Sequence, residues 1–252
     1  MTVSLSTNLL PSSYGSSAYT SNSDVSTYSS ADLAAMTSRQ IGSLTTAQVA
    51  ALDPAAFAGL NTAQVSALSA TSVATLSTAQ FTIFSTLQLS AMSGSQLSNL
   101  STSNVAALTS DKIAALKGTQ LKGLTTTQVK SLTTDDIQAI TTTAIQSLSV
   151  DQIFSLITAQ IAAVSTGQLA ALSSAQIVGM GTDDVQTLSS GQLGALTSVQ
   201  VRSLTSAQVA ALNSNQVNVL STEQVQSLTS AQVKALDTVD IANMTTDQVA
   251  AI

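Results

Sequence analysis

Acidic side chains are the residues of this chain best suited to chemistry, and they include two adjacent pairs. The pairs are Asp135 with Asp136 and Asp183 with Asp184, which lie 48 residues apart. Carboxylate oxygens are ligands that Ca²⁺ prefers, so calcium binding is one hypothesis for these pairs. The other hypothesis is structural, because acids in a first helical turn complement the helix dipole. We favour the structural interpretation, since no Asp-rich loop with a Gly-flanked ligand spacing is present.

Composition excludes most catalytic and cofactor-binding sites. The 252 residues include no Cys and no His. This removes thiol nucleophiles, disulfides and thiolate metal sites, and also the commonest acid–base catalyst. No phosphate-binding loop pattern can be assembled either. We therefore predict a protein that is not an enzyme and that binds no cofactor.

Cationic residues are few, and four of the seven fall within a short stretch: Lys112, Lys117, Lys122 and Lys130. They form either an anion-binding or surface-binding patch or a solvated edge, and such runs usually serve only solubility. The net charge of −6 and the absence of Trp argue against a nucleic-acid partner.

The elements that position these residues follow from an internal repeat. Shifting the chain by eight residues brings it into register from Ser21 to Ile252, which gives 29 octads without insertion or deletion. Residues 45–52 are a regular example and read Thr-Thr-Ala-Gln-Val-Ala-Ala-Leu. The fifth position is Val, Ile, Leu or Phe throughout, and the fourth is Gln in 19 octads and Asp in five. Residues 1–20 lack the repeat and are predicted to be a flexible leader or a cap.

Each octad carries signals for the start of a helix. Ser or Thr followed three residues later by Gln is a capping box, and the Leu before the cap is spaced from the next Val as in a hydrophobic staple. Pro54 falls at a first helical position, which accepts proline. We predict a helix of about six residues, or one and a half turns, in every octad, with the eighth-position Leu closing one octad and stapling the next.

Two other folds compete with this prediction. In one continuous helix, eight residues would leave a drift of about 80° per octad, so the apolar residues would form no stripe. A β-solenoid suits the Thr, Val and Ile content, but its apolar positions should alternate, whereas here their spacing is three, five, three, five. We predict an all-α solenoid of very short helices, one per octad, with a β-solenoid as the alternative. Small residues at the seventh position would let neighbouring helices approach closely.

Some residues depart from the repeat and are candidate partner contacts. Phe154 stands at a position that is usually polar or small, and Ile157 replaces a capping residue. Val178 and Gly181 form a second irregular spot. A lateral contact and simple decay of the repeat are equally good explanations. Ile252 shows no polar capping change, so the array is either a segment of a longer one or is covered by another molecule.

Three other aromatic residues, Phe57, Phe81 and Phe84, stand at the fifth and eighth positions of their octads. We predict that they are core residues.

No stretch approaches the roughly 18 apolar residues of a membrane helix. The N-terminus does not resemble a cleaved signal peptide, because the first cationic residue is Arg39. We expect a secreted or cell-surface protein that uses another export route, with the cytoplasm as an alternative.

The repeat [ST]-[ST]-x-Q-[VIL]-x-[AS]-L, as in residues 221–228, resembles the LTTAQ-type octapeptide arrays of large bacterial proteins. Those proteins are often labelled as haem-utilisation or adhesin-like proteins. The resemblance covers residues 21–252 and implies a bacterial adhesin-like repeat protein. The chain lacks the His, Tyr or Cys pattern that would support haem ligation, so we do not extend haem binding to it.

Two functions from different classes follow. The first is an extracellular or cell-surface scaffold, an adhesin stalk or a filament subunit, whose partner is a second copy, joined head to tail or laterally, or another surface protein. The second is a ligand-binding array of hydroxyl groups, with ice as the leading ligand. The use of the first two positions as caps argues against ice binding.

Overall fold

The computed structural model describes residues 24–252, and every octad from residue 29 onward forms one short helix. The helices have four to six residues, and no strand occurs among the described residues. The prediction of an all-α solenoid is confirmed, and its β-solenoid alternative is wrong. The leader predicted at residues 1–20 lies outside the described residues.

The chain divides into two compact units. Unit 1 ends at Ser131, and unit 2 begins at Leu132. Unit 1 contains twelve α-helices and one 3-10 helix, η1. In chain order they are α1 Ser30–Ala35, α2 Ser38–Gly42, α3 Thr46–Ala51, η1 Pro54–Gly59, α4 Thr62–Ala67, α5 Ala70–Val73, α6 Thr78–Thr82, α7 Thr86–Ser90, α8 Gly94–Ser98, α9 Thr102–Ala106, α10 Ser110–Ala114, α11 Gly118–Gly123 and α12 Thr126–Lys130.

Unit 2 contains fifteen α-helices of the same kind. In chain order they are α13 Thr134–Ala139, α14 Thr142–Ile145, α15 Val150–Phe154, α16 Thr158–Ala163, α17 Thr166–Ala171, α18 Ser174–Val178, α19 Thr182–Thr187, α20 Ser190–Gly194, α21 Ser198–Ser203, α22 Ser206–Ala210, α23 Ser214–Asn218, α24 Thr222–Gln226, α25 Ser230–Val233, α26 Thr238–Asn243 and α27 Thr246–Ala251.

Reciprocal caps explain why a helix begins in most octads. In α3, the Thr45 N–H donates to Gln48 Oε1 at 2.9 Å, and the Gln48 N–H donates to Thr45 Oγ1 at 3.2 Å. The helix ends at Leu52, whose backbone is extended (φ −64°, ψ 139°). Two otherwise unpaired N–H groups at the start of the helix are satisfied by such a cap. The capping box predicted from the sequence is confirmed.

Proline modifies one of these helices. Asp53 caps the element by accepting from the Ala55 N–H at 2.8 Å, and Pro54 occupies the first turn, as its position in the octad predicts. The element is a 3-10 helix, not an α-helix.

Helices pack on others three octads away, so each unit is coiled. In unit 1, α1 packs against η1, α2 against α4, and α8 against α11. In unit 2, α13 packs against α16 and α24 against α27. The side chains at the fifth and eighth positions, such as Val49 and Leu52, are almost all buried and form the core between the turns. The coil therefore buries residues that a helix of six residues cannot bury alone.

Small residues allow the turns to approach. A Cβ added to Gly59 would collide with the backbone of Ser30, and one added to Gly123 would collide with the backbone of Gly94. Gly59 and Gly123 both occupy the seventh position, where the sequence predicts close approach. Among the residues that the structure describes, no helix is long and apolar enough to cross a membrane.

Candidate functional site

The fourth-position glutamines form the most regular polar feature of the structure. In unit 1, Gln96 Oε1 accepts from the N–H of its cap residue, Ser93, at 2.7 Å. Its Nε2 donates to two backbone carbonyls of an earlier turn, Val65 O at 2.9 Å and Leu68 O at 2.8 Å. One buried amide therefore caps its own helix and binds the end of a helix four octads earlier.

The same arrangement recurs in both units. In unit 2, Gln168 Nε2 donates to Ile137 O at 2.7 Å and to Ile140 O at 2.6 Å. The acceptors lie at the end of a helix. Among the described residues, eighth-position carbonyls such as Ile140 O receive no backbone N–H, whereas fifth-position carbonyls such as Ile137 O also accept from the eighth-position N–H of their own octad. Inter-turn bonds are made in unit 1 by Gln64, Gln80, Gln88, Gln96, Gln120 and Gln128, and in unit 2 by Gln160, Gln168, Gln176, Gln192, Gln200, Gln208, Gln216, Gln224, Gln232 and Gln248.

Reasoning from the sequence missed the bonds that these glutamines make to an earlier turn. The capping box explains the Oε1 of each Gln but assigns nothing to its Nε2. The preference for Gln over Glu was the available signal, because Glu caps equally well and has no N–H to donate. Among the described residues, no buried side-chain nitrogen or oxygen lacks a partner.

Two fourth-position substitutions in unit 1 keep a donor. Asn104 is shorter than Gln, and its Nδ2 reaches only one carbonyl, Leu76 O, at 2.9 Å. Lys112 sends its ammonium group to Thr82 O, on the preceding turn. Burial lowers the pKa of the Lys112 ammonium below its ordinary value. Both side chains tie one turn to another but make fewer bonds than Gln.

The fourth-position acids of unit 2, Asp136, Asp184 and Asp240, have no amide donor. Asp184 accepts from the Gly181 N–H at 3.0 Å, and Asp240 accepts from the Asp237 N–H at 3.3 Å. A carboxylate has no proton to offer to the carbonyls of the earlier turn. A Gln at position 184 would donate to Ile153 O and Leu156 O. Within the described part of the chain, neither carbonyl accepts an inter-turn bond.

In each of the two predicted acidic pairs, one residue is buried and the other is exposed. Asp136 and Asp184 are buried caps, whereas Asp135 and Asp183 are exposed. Among residues 24–252, no group of three or more His, Cys, Asp or Glu residues could hold a metal ion. The geometry supports the structural interpretation of these pairs.

The four lysines of the short stretch differ in exposure and in their contacts. Lys117 is exposed, and its Nζ lies 3.3 Å from Ser90 O. Lys112 is half-buried, and Lys122 and Lys130 are exposed. Lys112 and Lys117 each donate from Nζ to the backbone carbonyl of the last residue of an earlier helix, Thr82 and Ser90. The sequence did not reveal these bonds.

Phe57, Phe81 and Phe84 are fully buried, as predicted. The Phe84 ring lies 5.6 Å from the Phe57 ring and 5.8 Å from the Phe81 ring, measured between centroids. These distances are typical of tilted aromatic pairs. The three rings fill the core of unit 1 and are not available to a ligand.

The structure brings together four of the predicted partner-contact residues. Because α15 packs against α18 and α16 against α19, Phe154 and Ile157 lie on the turn adjacent to Val178 and Gly181. Phe154 is 70% exposed, Ile157 44% and Val178 38%. We call these four residues the apolar patch. The two irregular spots of the sequence lie on adjacent turns of unit 2.

The fifth predicted contact, Ile252, lies elsewhere in unit 2. Its side chain is 54% exposed. Val249 and Ile241, the fifth-position residues of the last two octads, are 51% and 37% exposed. Equivalent fifth- and eighth-position residues inside the unit, such as Val185 and Leu188, are buried. The last turn of unit 2 therefore presents core-type side chains to solvent.

Comparison with known proteins identifies the repeat. The family model described as the ALTTAQ repeat matches residues 29–62, 131–166, 161–198 and 198–230, which together exceed half of the chain. No curated protein matches the chain. The matched segments contain the Thr45–Gln48 capping box and many of the inter-turn glutamines of unit 2. The chain is a member of the ALTTAQ repeat family.

Proposed function

We propose that this repeat protein is a non-catalytic scaffold that acts outside the cell or at its surface, as an adhesin stalk or a filament subunit. The row of buried glutamines is the observation that supports the proposal. The polar groups inside each unit are bonded to the backbone of neighbouring turns, so they serve the architecture of the coil. Low charge and uniform repetition are typical of such a spacer.

The apolar patch supports a contact with another molecule. Phe154 contributes a large side chain that is 70% exposed, and aromatic residues are enriched at interfaces. A lateral contact of a stalk or filament through the patch agrees with this exposure. A purely passive spacer would not need an exposed apolar patch, so the patch favours an adhesive role.

Ice binding has less support than the scaffold. A hydroxyl array would need free first-position groups, but Thr45 Oγ1 and Thr205 Oγ1 accept from helical N–H groups in caps. A thermal-hysteresis assay at high protein concentration tests this alternative. We expect no activity.

Immunogold labelling of intact cells that make the protein tests the proposed location. We expect label on the surface of unpermeabilised cells, with a cytoplasmic protein as the unlabelled control. Label that appears only after permeabilisation would contradict a surface scaffold. Electron microscopy of the purified protein over a concentration series then separates the two versions. Assemblies that lengthen with concentration support a filament subunit, and monomers at every concentration leave the stalk.

A further inference from the structure

Three stacked helices of unit 2 each expose a large apolar side chain. Because α15 packs against α18 and α18 against α21, their outer surfaces adjoin on successive turns. Phe154 on α15 and Val199 on α21 are both 70% exposed, and Val178 on α18 is 38% exposed. These residues stand at third or sixth positions, which both hold alanine in the regular octad 205–212. The exposed apolar surface at Phe154 and Val178 therefore continues onto α21.

The two ends of this surface carry opposite charges. Asp151 and Phe154 are three residues apart on α15, so they share one helix face, and Val199 and Arg202 share a face of α21 in the same way. Asp151 and Arg202 are exposed, and neither forms an ion pair among the described residues. We define the lateral face as Asp151, Phe154, Val178, Val199 and Arg202. It has an acid on the α15 turn, a base on the α21 turn and an apolar side chain on all three turns.

A surface with this arrangement is complementary to itself. When two copies face each other about a two-fold axis that runs along α18, α15 of each copy lies against α21 of the other. Phe154 then packs against Val199 of the other copy. Asp151 comes within reach of Arg202 of the other copy, and the two Val178 side chains meet at the axis. Each copy thus supplies the apolar contact and the opposite charge that the other lacks.

The charges also select one orientation of the two copies. If α15 lay against α15 and α21 against α21, Asp151 would adjoin Asp151 and Arg202 would adjoin Arg202. Like charges that are brought together at an interface cost several kcal/mol. Only the antiparallel orientation, in which α15 faces α21, pairs each acid with a base.

We propose that the lateral face binds a second copy of this chain, side by side and antiparallel. The charge pattern identifies the occupant, because a second copy supplies one base for each acid and one acid for each base. Such a match is uncommon on this chain, which has only seven Lys and Arg residues in 252. The pairing supplies the lateral contact of the proposed scaffold, and its biological role rests on that proposed function.

Sedimentation equilibrium of the full chain over a concentration series measures the pairing. We expect a monomer–dimer equilibrium that Asp151→Arg and Arg202→Asp each weaken at least about tenfold, because each brings like charges together. The double variant with both substitutions exchanges the two charges and should restore the dimer. Lys234→Asp is the matched control. It reverses an exposed sixth-position cation outside the lateral face and should leave the dimer unchanged.

A cysteine introduced at position 178 tests where the two-fold axis lies. The chain has no Cys, so Val178→Cys provides one thiol per copy. Two thiols that face each other at the axis are close enough to form a disulfide. We expect a disulfide-linked dimer after mild oxidation. Gln226→Cys, at the same octad position on α24, is the control and should remain mostly uncrosslinked.

A protein that stays monomeric up to about 1 mM would overturn the proposal. A dimer that resists both charge reversals, a double variant that pairs no better than the single variants, or equal crosslinking of the two cysteine variants would overturn it too. Circular dichroism checks that each variant keeps the helical fold. A monomer that is found on the cell surface would reject the pairing and leave the proposed function intact, whereas a dimer that is absent from the surface would do the reverse.

Discussion

Two octads of unit 2, residues 221–228 and residues 181–188, show what the fourth position contributes. Gln224 caps its helix through the Ser221 N–H at 2.8 Å and donates to Leu193 O at 3.0 Å and Leu196 O at 2.7 Å. Asp184 makes only the cap bond, to the Gly181 N–H. Both octads fold into the same short helix. The helix therefore forms without the inter-turn bonds, and the Gln amide joins that helix to another turn.

The largest effect should follow from removing that amide. Gln224→Ala leaves the Ser221 N–H and Leu196 O without a partner, and it removes one of the two donors to Leu193 O. Because each buried unpaired group costs about 1 to 3 kcal/mol, we expect a loss of about 3 kcal/mol in the free energy of unfolding, measured by urea denaturation. Gln226→Ala, in the same helix but exposed, is the control and should change little. Equal losses in the two variants would show that the inter-turn bonds contribute nothing.

The next effect concerns how closely the turns approach. Gly123→Ala would push a Cβ into the backbone of Gly94, which cannot move away as a side chain could. We expect a loss of about 2 kcal/mol, the usual cost of overpacking. Gly191 has no atom within 4 Å of an added Cβ, so Gly191→Ala should instead stabilise its helix by about 0.5 to 1 kcal/mol. Stabilisation by both substitutions, in thermal denaturation, would contradict the close approach.

A smaller gain should come from restoring the donor where it is missing. Asp184→Gln provides an amide for Ile153 O and Leu156 O while it keeps the cap to Gly181. We expect unfolding to become less favourable by about 1 kcal/mol, the value of a typical hydrogen bond. Asp183→Gln changes the exposed neighbour and adds no inter-turn bond, so it should not stabilise the protein. Urea denaturation of the two variants in parallel decides the matter, and no gain from Asp184→Gln would weaken the assignment.

The smallest effect on stability is expected in the apolar patch. Phe154→Ala removes a side chain that is 70% exposed, so the free energy of unfolding should change by less than about 0.5 kcal/mol. Ile153→Ala, its buried neighbour, should cost about 3 kcal/mol. A large loss from Phe154→Ala, measured by denaturation, would mean that Phe154 supports the fold and is not kept for a partner.

The sequence predicted the helices because their causes are local. Caps such as Thr45 with Gln48, the proline at position 54 and the buried fifth and eighth positions all follow from spacing within one octad. It did not predict which octads meet, because that depends on how far each extended residue between helices turns the chain. The bonds of Gln96 to Val65 and Leu68 are therefore invisible to a periodicity of eight.

The candidate contacts divide in the same way. Exposure of Phe154 and Ile157 could be predicted, because each breaks a rule of its own octad. Their position beside Val178 and Gly181 required the pairing of α15 with α18 and of α16 with α19. Lys112 was interpreted as part of a charged stretch, and only the coil shows that it substitutes for a Gln.

Side-chain amide exchange in NMR tests the central claim that fourth-position glutamines join the turns. The buried Gln168, Gln200 and Gln224 should exchange their Nε2 protons slowly and show couplings through hydrogen bonds to backbone carbonyl carbons of an earlier turn. The exposed sixth-position Gln146 and Gln226 provide an internal reference and should exchange rapidly. Rapid exchange of both groups, without such couplings, would contradict the account.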